Sequence, residues 1–177
     1  YWMHNGMLTM VGGQKMGKSL GNVINIHDAL KEYPAESLRF YLLQNHYRSS
    51  LPWSSTALNE ALTMLARLYE AKEAALAMGG QEPAAQVAQA LGADAQTVLS
   101  LGESFVDRLH AALDEDFNTA QVLSSAFELA RAINRFSAHK KARKRGGPIV
   151  AKALAGFDVL TDAIGLLGSD PVNFQAE

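Results

Sequence analysis

Two lysines three positions apart, Lys15 and Lys18, lie in the run Gly12-Gly13-Gln14-Lys15-Met16-Gly17-Lys18-Ser19. Ammonium groups on such a glycine-rich, polar loop are suited to contact with phosphate. The same run fits G-x-x-x-x-G-K-[ST], a phosphate-cradling pattern. That pattern needs a buried strand before it and a helix starting at the Lys-Ser, so that amides and the helix dipole converge on phosphate. Here Leu20-Gly21-Asn22 breaks any helix within three residues. The rest of the chain also lacks the alternating strands and helices, and the strand-borne Asp for magnesium, of such a domain. A Lys-rich surface turn is the plain alternative for the motif taken alone.

Charge offers a second candidate. Over 177 residues the net charge is −2, yet eight of the 16 Lys and Arg lie between Arg131 and Lys152, and no Asp or Glu falls between Glu128 and Asp158. The densest part, Lys140, Lys141, Arg143, Lys144 and Arg145, suits either a solvated helix end or contact with a nucleic-acid backbone, the latter strongly salt-dependent and weakly sequence-specific. Asp114-Glu115-Asp116 does not signal acid–base catalysis: acids before a helix favour its N-terminus, and Asn118 or Thr119 can cap it. Phe117 can plug between two helices. His46-Tyr47-Arg48 follows a helix, where a cation is favourable, and could equally face RNA. The chain has no cysteine, and His4, His27, His46, His110 and His139 never fall at ligand spacing. A thiol nucleophile and a thiolate metal site are thereby excluded, and no metal site is assigned within this chain. No apolar run approaches the roughly 18 residues of a membrane span, and no secretory signal pattern opens the chain.

These residues need elements to hold them. Leu8-Thr9-Met10-Val11, then Gly12-Gly13, then Gln14-Lys15-Met16 predict a short hairpin. Helices are expected over 26–33 and 35–46, separated by Pro34. A long helix follows Ser54-Ser55-Thr56, with Leu58, Leu62, Leu65, Tyr69 and Leu76 on one stripe. Residues 79–93, rich in Gly, Pro, Gln and Ala, read as a flexible connection. Further helices are expected over about 95–114 (Val98, Leu101, Phe105, Leu109, Leu113), from Asn118 or Thr119 to about 138 (Leu123, Phe127, Ala130, Ile133), and after Pro148 (Ile149, Ala153, Phe157, Leu160, Ile164, Leu167), the last stopped by Gly168. About one residue in six is Ala, the best helix former. The fold expected is mainly α: a helical bundle preceded by a short β-hairpin and a loop.

Several runs together resemble the cysteinyl-tRNA synthetase family, class I aminoacyl-tRNA synthetases. Tyr1-Trp2-Met3-His4-Asn5-Gly6 is similar to the family's Y-W-x-H-N-G, and Lys15-Met16-Gly17-Lys18-Ser19-Leu20-Gly21-Asn22 to its mobile K-M-S-K-S-L-G-N loop. Leu38-Arg39-Phe40-Tyr41-Leu42-Leu43, His46-Tyr47-Arg48-Ser49, Asp114-Glu115-Asp116-Phe117-Asn118-Thr119, Glu128-Leu129-Ala130-Arg131-Ala132-Ile133-Asn134 and Gly165-Leu166-Leu167-Gly168 match further blocks in the family's order. The loop is shared by class I synthetases; the combination is specific.

The resemblance implies a C-terminal fragment. Residues 1–25 would end the catalytic domain, 26–53 would be connecting helices, and 54–177 would form the bundle that docks tRNA. The H-I-G-H motif and the zinc ligands would lie before Tyr1. The implied reaction is ATP-dependent activation of cysteine to cysteinyl-adenylate and transfer to tRNA-Cys. ATP, with magnesium, and cysteine are then substrates, and zinc belongs to the parent enzyme. Lys18 would be the principal ATP contact and Lys15 its supporting charge; Met16 would set the loop's angle and Ser19 add a hydroxyl. Gly17 stands where the family usually has Ser, so closing the loop should cost slightly more entropy. Lys140, Lys141, Arg143, Lys144 and Arg145 would face tRNA. The fragment alone should be inactive, and the parent a cytoplasmic monomer without membrane association. Two alternatives stand: the related ligase of mycothiol biosynthesis, which joins cysteine to an amino-sugar inositol without tRNA, and a non-catalytic helical tRNA-binding or interaction module.

Overall fold

Some helix starts in this chain are set by short polar side chains. In the computed structural model, which describes residues 2–10, 12–14, 16–17 and 24–176, Asn25 accepts the His27 amide (3.1 Å) and opens α1 (Ile26–Glu32). Pro34 precedes α2 (Ala35–Leu43), and Ser37 donates back to its carbonyl (2.7 Å). Of the three candidate caps for α3 (Ser55–Leu76), Ser54 is the one used, accepting the Ala57 amide at 3.0 Å. Such a cap is worth about 1 kcal/mol relative to Ala.

The long helices build one core. α5 (Ala93–Asp114) and α6 (Thr119–Ser137) form an antiparallel pair, and α8 (Gly147–Ile164) packs along α5. Val98, Phe105 and Leu109 meet Ile149, Ala153, Phe157 and Leu160, all essentially inaccessible. Glycines bring α5 and α8 close. A Cβ on Gly102 would lie 3.0 Å from the Ala153 amide nitrogen, and one on Gly156 2.7 Å from the Phe105 ring. On the far side of α6, α3 contributes Leu58, Leu65, Leu68 and Tyr69. Each such fully buried side chain contributes about 1.5–3 kcal/mol of apolar transfer.

Four expectations are corrected. Among the described residues β1 (Leu8–Met10) pairs not with the run after the turn but in parallel with β2 (Leu51–Trp53), in register Leu8↔Leu51, Thr9↔Pro52 and Met10↔Trp53. The turn is present, with Gly12 at φ 90° and Gly13 at φ 80°, and the Met10 amide reaches the Gln14 carbonyl (2.8 Å). Gln14 and Met16, however, are not in a strand. Residues 79–93 are not simply a connection, because α4 (Ala84–Leu91) forms there and buries Val87 and Ala88. Three-residue apolar spacing in a run of Ala and Gln is too weak to outweigh flanking Gly and Pro. α8 ends at Gly165 rather than Gly168: Gly165 takes the left-handed conformation (φ 70°, ψ 36°) and its amide caps Thr161. Phe117 does not plug between helices; it is 56% exposed.

A partly buried polar seam closes the last turn of the bundle. The Glu36 carboxylate accepts the Tyr69 hydroxyl (2.7 Å) and the Leu167 amide; Tyr69 in turn accepts the Ser169 amide (3.0 Å), and Lys72 donates to the Leu167 carbonyl (2.7 Å). α9 (Pro171–Ala176) follows, its Phe174 stacked on Tyr69 at 4.1 Å.

Candidate functional site

The loop lies at the β1 end of the molecule. Gly12 and Gly13 meet nothing where a Cβ would stand, so their role is the positive φ of the turn. Met16 and Gly17 are half-buried. Lys15, Lys18 and Ser19 lie outside the described residues. Around this end a set of apolar side chains faces outward: Trp2 is 85% exposed, and Met3, Met7, Ile26, Leu30 and Leu42 are also exposed. Leu8, Ile24, Ile26, Leu38, Leu42 and Trp53 line a cavity of about 120 Å³.

A second group of chemistry-bearing residues meets where 46–49 faces the α5–α6 turn. Tyr47 donates its hydroxyl to Asp116 Oδ1 (2.6 Å), and Arg48 donates Nε to Oδ2 (2.7 Å) and Nη2 to Oδ1 (3.1 Å). His46 stacks on the Tyr47 ring (4.9 Å), and the Arg48 guanidinium lies 5.0 Å from the centre of that ring. The Arg48 and Tyr47 hydrogen bonds hold the Asp116 carboxyl down to about 2. The same carboxylate pushes the Tyr47 phenol up, because its proton is shared with an anion. Asp116 (φ 53°) and Phe117 (φ 54°) both sit in the left-handed region that L-residues avoid. The Asn118 side chain then caps α6 by accepting the Gln121 amide (3.1 Å), as the acidic turn and its Asn suggested. The Thr119 hydroxyl ties the first turn of α6 to the Leu43 carbonyl at the end of α2 (2.8 Å).

The basic run forms a short helix, α7 (Ala142–Arg145), folded against Gly79 and Gly80. The Gly79 amide donates to the Arg143 carbonyl (2.9 Å), and a Cβ on Gly80 would sit 2.9 Å from the Arg145 Cα. Arg145 is committed to Glu82, whose carboxyl it holds below the usual range, and His139 bonds Asp94 at 2.7 Å. Lys140, Lys141, Arg143 and Lys144 are exposed and make no ion pair among the described residues. The five cations grouped by sequence therefore divide into four that face solvent and one that anchors the turn.

The structure brings together residues that spacing could not. Arg48 and Asp116 are 68 positions apart, and the available signal was only that two family-like blocks carry opposite charges. Among the described residues no group of three or more His, Asp or Glu could hold a metal ion. Nor is any described helix long and apolar enough to cross a membrane.

Comparison with known proteins bears on both groups. Residues 1–63 match the family model described as tRNA synthetases class I (C) catalytic domain, and residues 108–168 match the DALR domain. A relative from Shewanella sp. (strain W3-18-1), named cysteine–tRNA ligase, is 38% identical over 174 residues, which are 98% of this chain and 32% of the relative. The protein of the same name from Syntrophobacter fumaroxidans is 38% identical over 187 residues, covering 100% of this chain and 36% of the relative. The chain thus spans about a third of the length of the curated relatives it matches. Its fold is similar to part of the Agrobacterium radiobacter K84 agnB2 LeuRS in a ternary complex with tRNA and LeuAMS, with a TM-score of 0.66 at 18% identity over 97% of this chain and 22% of that one. With a class I synthetase catalytic-domain match over residues 1–63, a DALR match over 108–168 and 38% identity along 98% of its length, this chain is similar to the corresponding third of cysteine–tRNA ligases.

Proposed function

We propose that this chain is the loop-bearing end of the catalytic domain and the tRNA-docking bundle of an enzyme that activates cysteine with ATP and transfers it to tRNA-Cys. The carrying observation is the 38% identity to cysteine–tRNA ligases along 98% of the chain. In this reading residues 1–25 end the catalytic domain, 26–53 connect, and 54–177 form the bundle. Lys18 and Lys15 neutralise the triphosphate as pyrophosphate leaves, and preorganised cations of this kind lower the barrier because the charge they meet is greatest in the transition state. Met16 sets the loop's angle, Gly17 permits its movement, and Ser19 adds a hydroxyl to the phosphates. The exposed apolar set from Trp2 to Leu42 supports the reading as a surface on which further catalytic-domain structure packs. Lys140, Lys141, Arg143 and Lys144 meet the tRNA backbone.

Cysteine-dependent exchange of pyrophosphate into ATP by the full-length protein, followed by charging of tRNA-Cys, tests the proposal. Exchange and charging are the expected result. Exchange with transfer only to an amino-sugar inositol would assign the mycothiol ligase instead, and RNA binding without exchange would assign a non-catalytic module. The chain by itself should catalyse neither step.

A further inference from the structure

Three hydrogen bonds from Tyr47 and Arg48 converge on the Asp116 carboxylate. They join a turn within the span matched by the catalytic-domain model to the turn that starts α6, within the DALR span. The 46–49 turn is in turn fixed to the strand that leads into the Lys15–Lys18 loop. The Gly6 amide donates to the Tyr47 carbonyl (2.7 Å), and the Leu51 amide donates to the Met7 carbonyl (3.0 Å). A Cβ on Gly6 would lie 1.9 Å from the Ser49 carbonyl oxygen, so the two backbones are in direct contact with no side chain between them. A continuous line of contacts therefore runs from the α5–α6 turn through 46–49 and residue 6 to β1.

Arg48 and Asp116 are 54% and 45% exposed, and exposed ion pairs contribute little. Yet the carboxylate is delivered by two consecutive non-glycine residues in the left-handed region. The same stretch closes the end of α5, the Phe117 amide donating to the Leu113 carbonyl (2.9 Å) and the Asn118 amide to the Ala112 carbonyl (3.0 Å), so the turn that ends the helix also fixes where the Asp116 carboxylate stands.

We propose that Asp116 is a positioning residue: through Arg48 and Tyr47 it sets the offset between the helical bundle and the strand carrying the loop, so that RNA docked on the bundle presents its end to the activated amino acid. The proposal rests on the synthetase reading above. In this role Asp116 serves transfer and is dispensable for activation.

The test is a pair of reactions in the full-length protein. Asp116→Asn removes the charge with a residue that tolerates the left-handed conformation. Pyrophosphate exchange should stay within about twofold of the parent while kcat/KM for tRNA charging falls about three- to thirtyfold, the range of measured coupling effects. Arg48→Gln should lose the same factor, the double variant no more than either single one, and Arg48→Lys should recover part of it. Equal losses in both reactions, losses that add in the double variant, or charging at the parent rate would each overturn the proposal. A parent protein with no exchange at all would overturn the synthetase reading itself, and the proposal with it.

Discussion

Arg145 and Glu82, 63 positions apart, meet side by side: Arg145 Nε donates to Oε1 and Nη2 to Oε2, both at 2.6 Å. The guanidinium matches the carboxylate in a two-point fork, a geometry that lysine cannot supply. The bond pins α7 beside Gly79 and Gly80 and leaves the neighbouring cations turned outward. Replacing Lys140, Lys141, Arg143 and Lys144 together by Gln should weaken tRNA binding and lower the slope of log affinity against log salt by about 3. Arg145→Gln alone should change that slope by less than about 1, since its charge is already paired. Titrations at several salt concentrations read both values, and an unchanged slope in the fourfold variant assigns the run to solvated surface.

The Tyr69 phenol titrates well above its ordinary range. Burial, then the hydrogen bond to Glu36, pushes its pKa up from 10.0 to about 12. A pKa raised in the folded state means that the neutral phenol stabilises the fold fully below pH 10, and that this stability is lost as pH rises from about 10 to 12. Tyr69→Phe should lower stability at pH 7 by about 1–3 kcal/mol, because Glu36 and the Ser169 amide each lose a partner. The variant should also show a flatter fall in denaturation midpoint between pH 10 and 12. A fall as steep as the parent's would remove Tyr69 from the alkaline transition.

How much of this was open to the sequence depends on distance along the chain. The stripe Leu123, Phe127, Ala130 and Ile133 predicted α6, and Asn118 or Thr119 was the expected cap, of which Asn118 is the one used, because both signals are local. β1 was visible as a strand, but its partner lies beyond two helices and contains Pro52, a residue that lowers any strand score. The Lys15–Lys18 run fits two motifs by residue type and spacing, and only the flanking blocks choose between them. The partners of Arg48 and Arg145 have no such signal, since a carboxylate more than sixty positions away leaves no periodic trace. Phe117 was misread because a lone aromatic after acids looks like a plug; its position follows from two positive φ angles that no residue there announces.

The α5–α8 contact should be intolerant of even one methyl. A Cβ on Gly156 would lie 2.7 Å from Phe105 Cδ1, within a core where Phe105 also meets Phe157 edge to face at 6.1 Å. Overpacking costs about 1–3 kcal/mol, against about 1 kcal/mol of helix propensity gained from Gly to Ala. Gly156→Ala should therefore lower the melting temperature by about 2–6 °C in a domain of this size. A melting temperature above the parent's would mean that Phe105 moves aside freely.

In the loop, Gly17→Ser should leave pyrophosphate exchange in the full-length protein unchanged or raise it by at most about fivefold, the reach of removing one glycine's freedom from the open loop. Lys18→Ala should lower exchange by about 10²–10³, the scale of losing one preorganised group aimed at developing charge. Single-turnover rates at saturating ATP separate these effects from binding. A large loss in Gly17→Ser would reveal that glycine itself is required.

The seam between Glu36 and the Leu167 amide spans 131 positions, and this separation has a consequence in time. The α5–α6 pair can close through contacts between sequence neighbours, whereas the seam must wait until both ends of the chain have been gathered, at a growing cost in loop entropy. The last turn of the bundle is therefore the final piece to lock and the first to open, a latch thrown after the helices are in place. Native-state hydrogen exchange should show it: the Leu167 and Ser169 amides should open at a lower free energy than those of Val122 or Leu129, and equal protection would make the molecule a single cooperative unit.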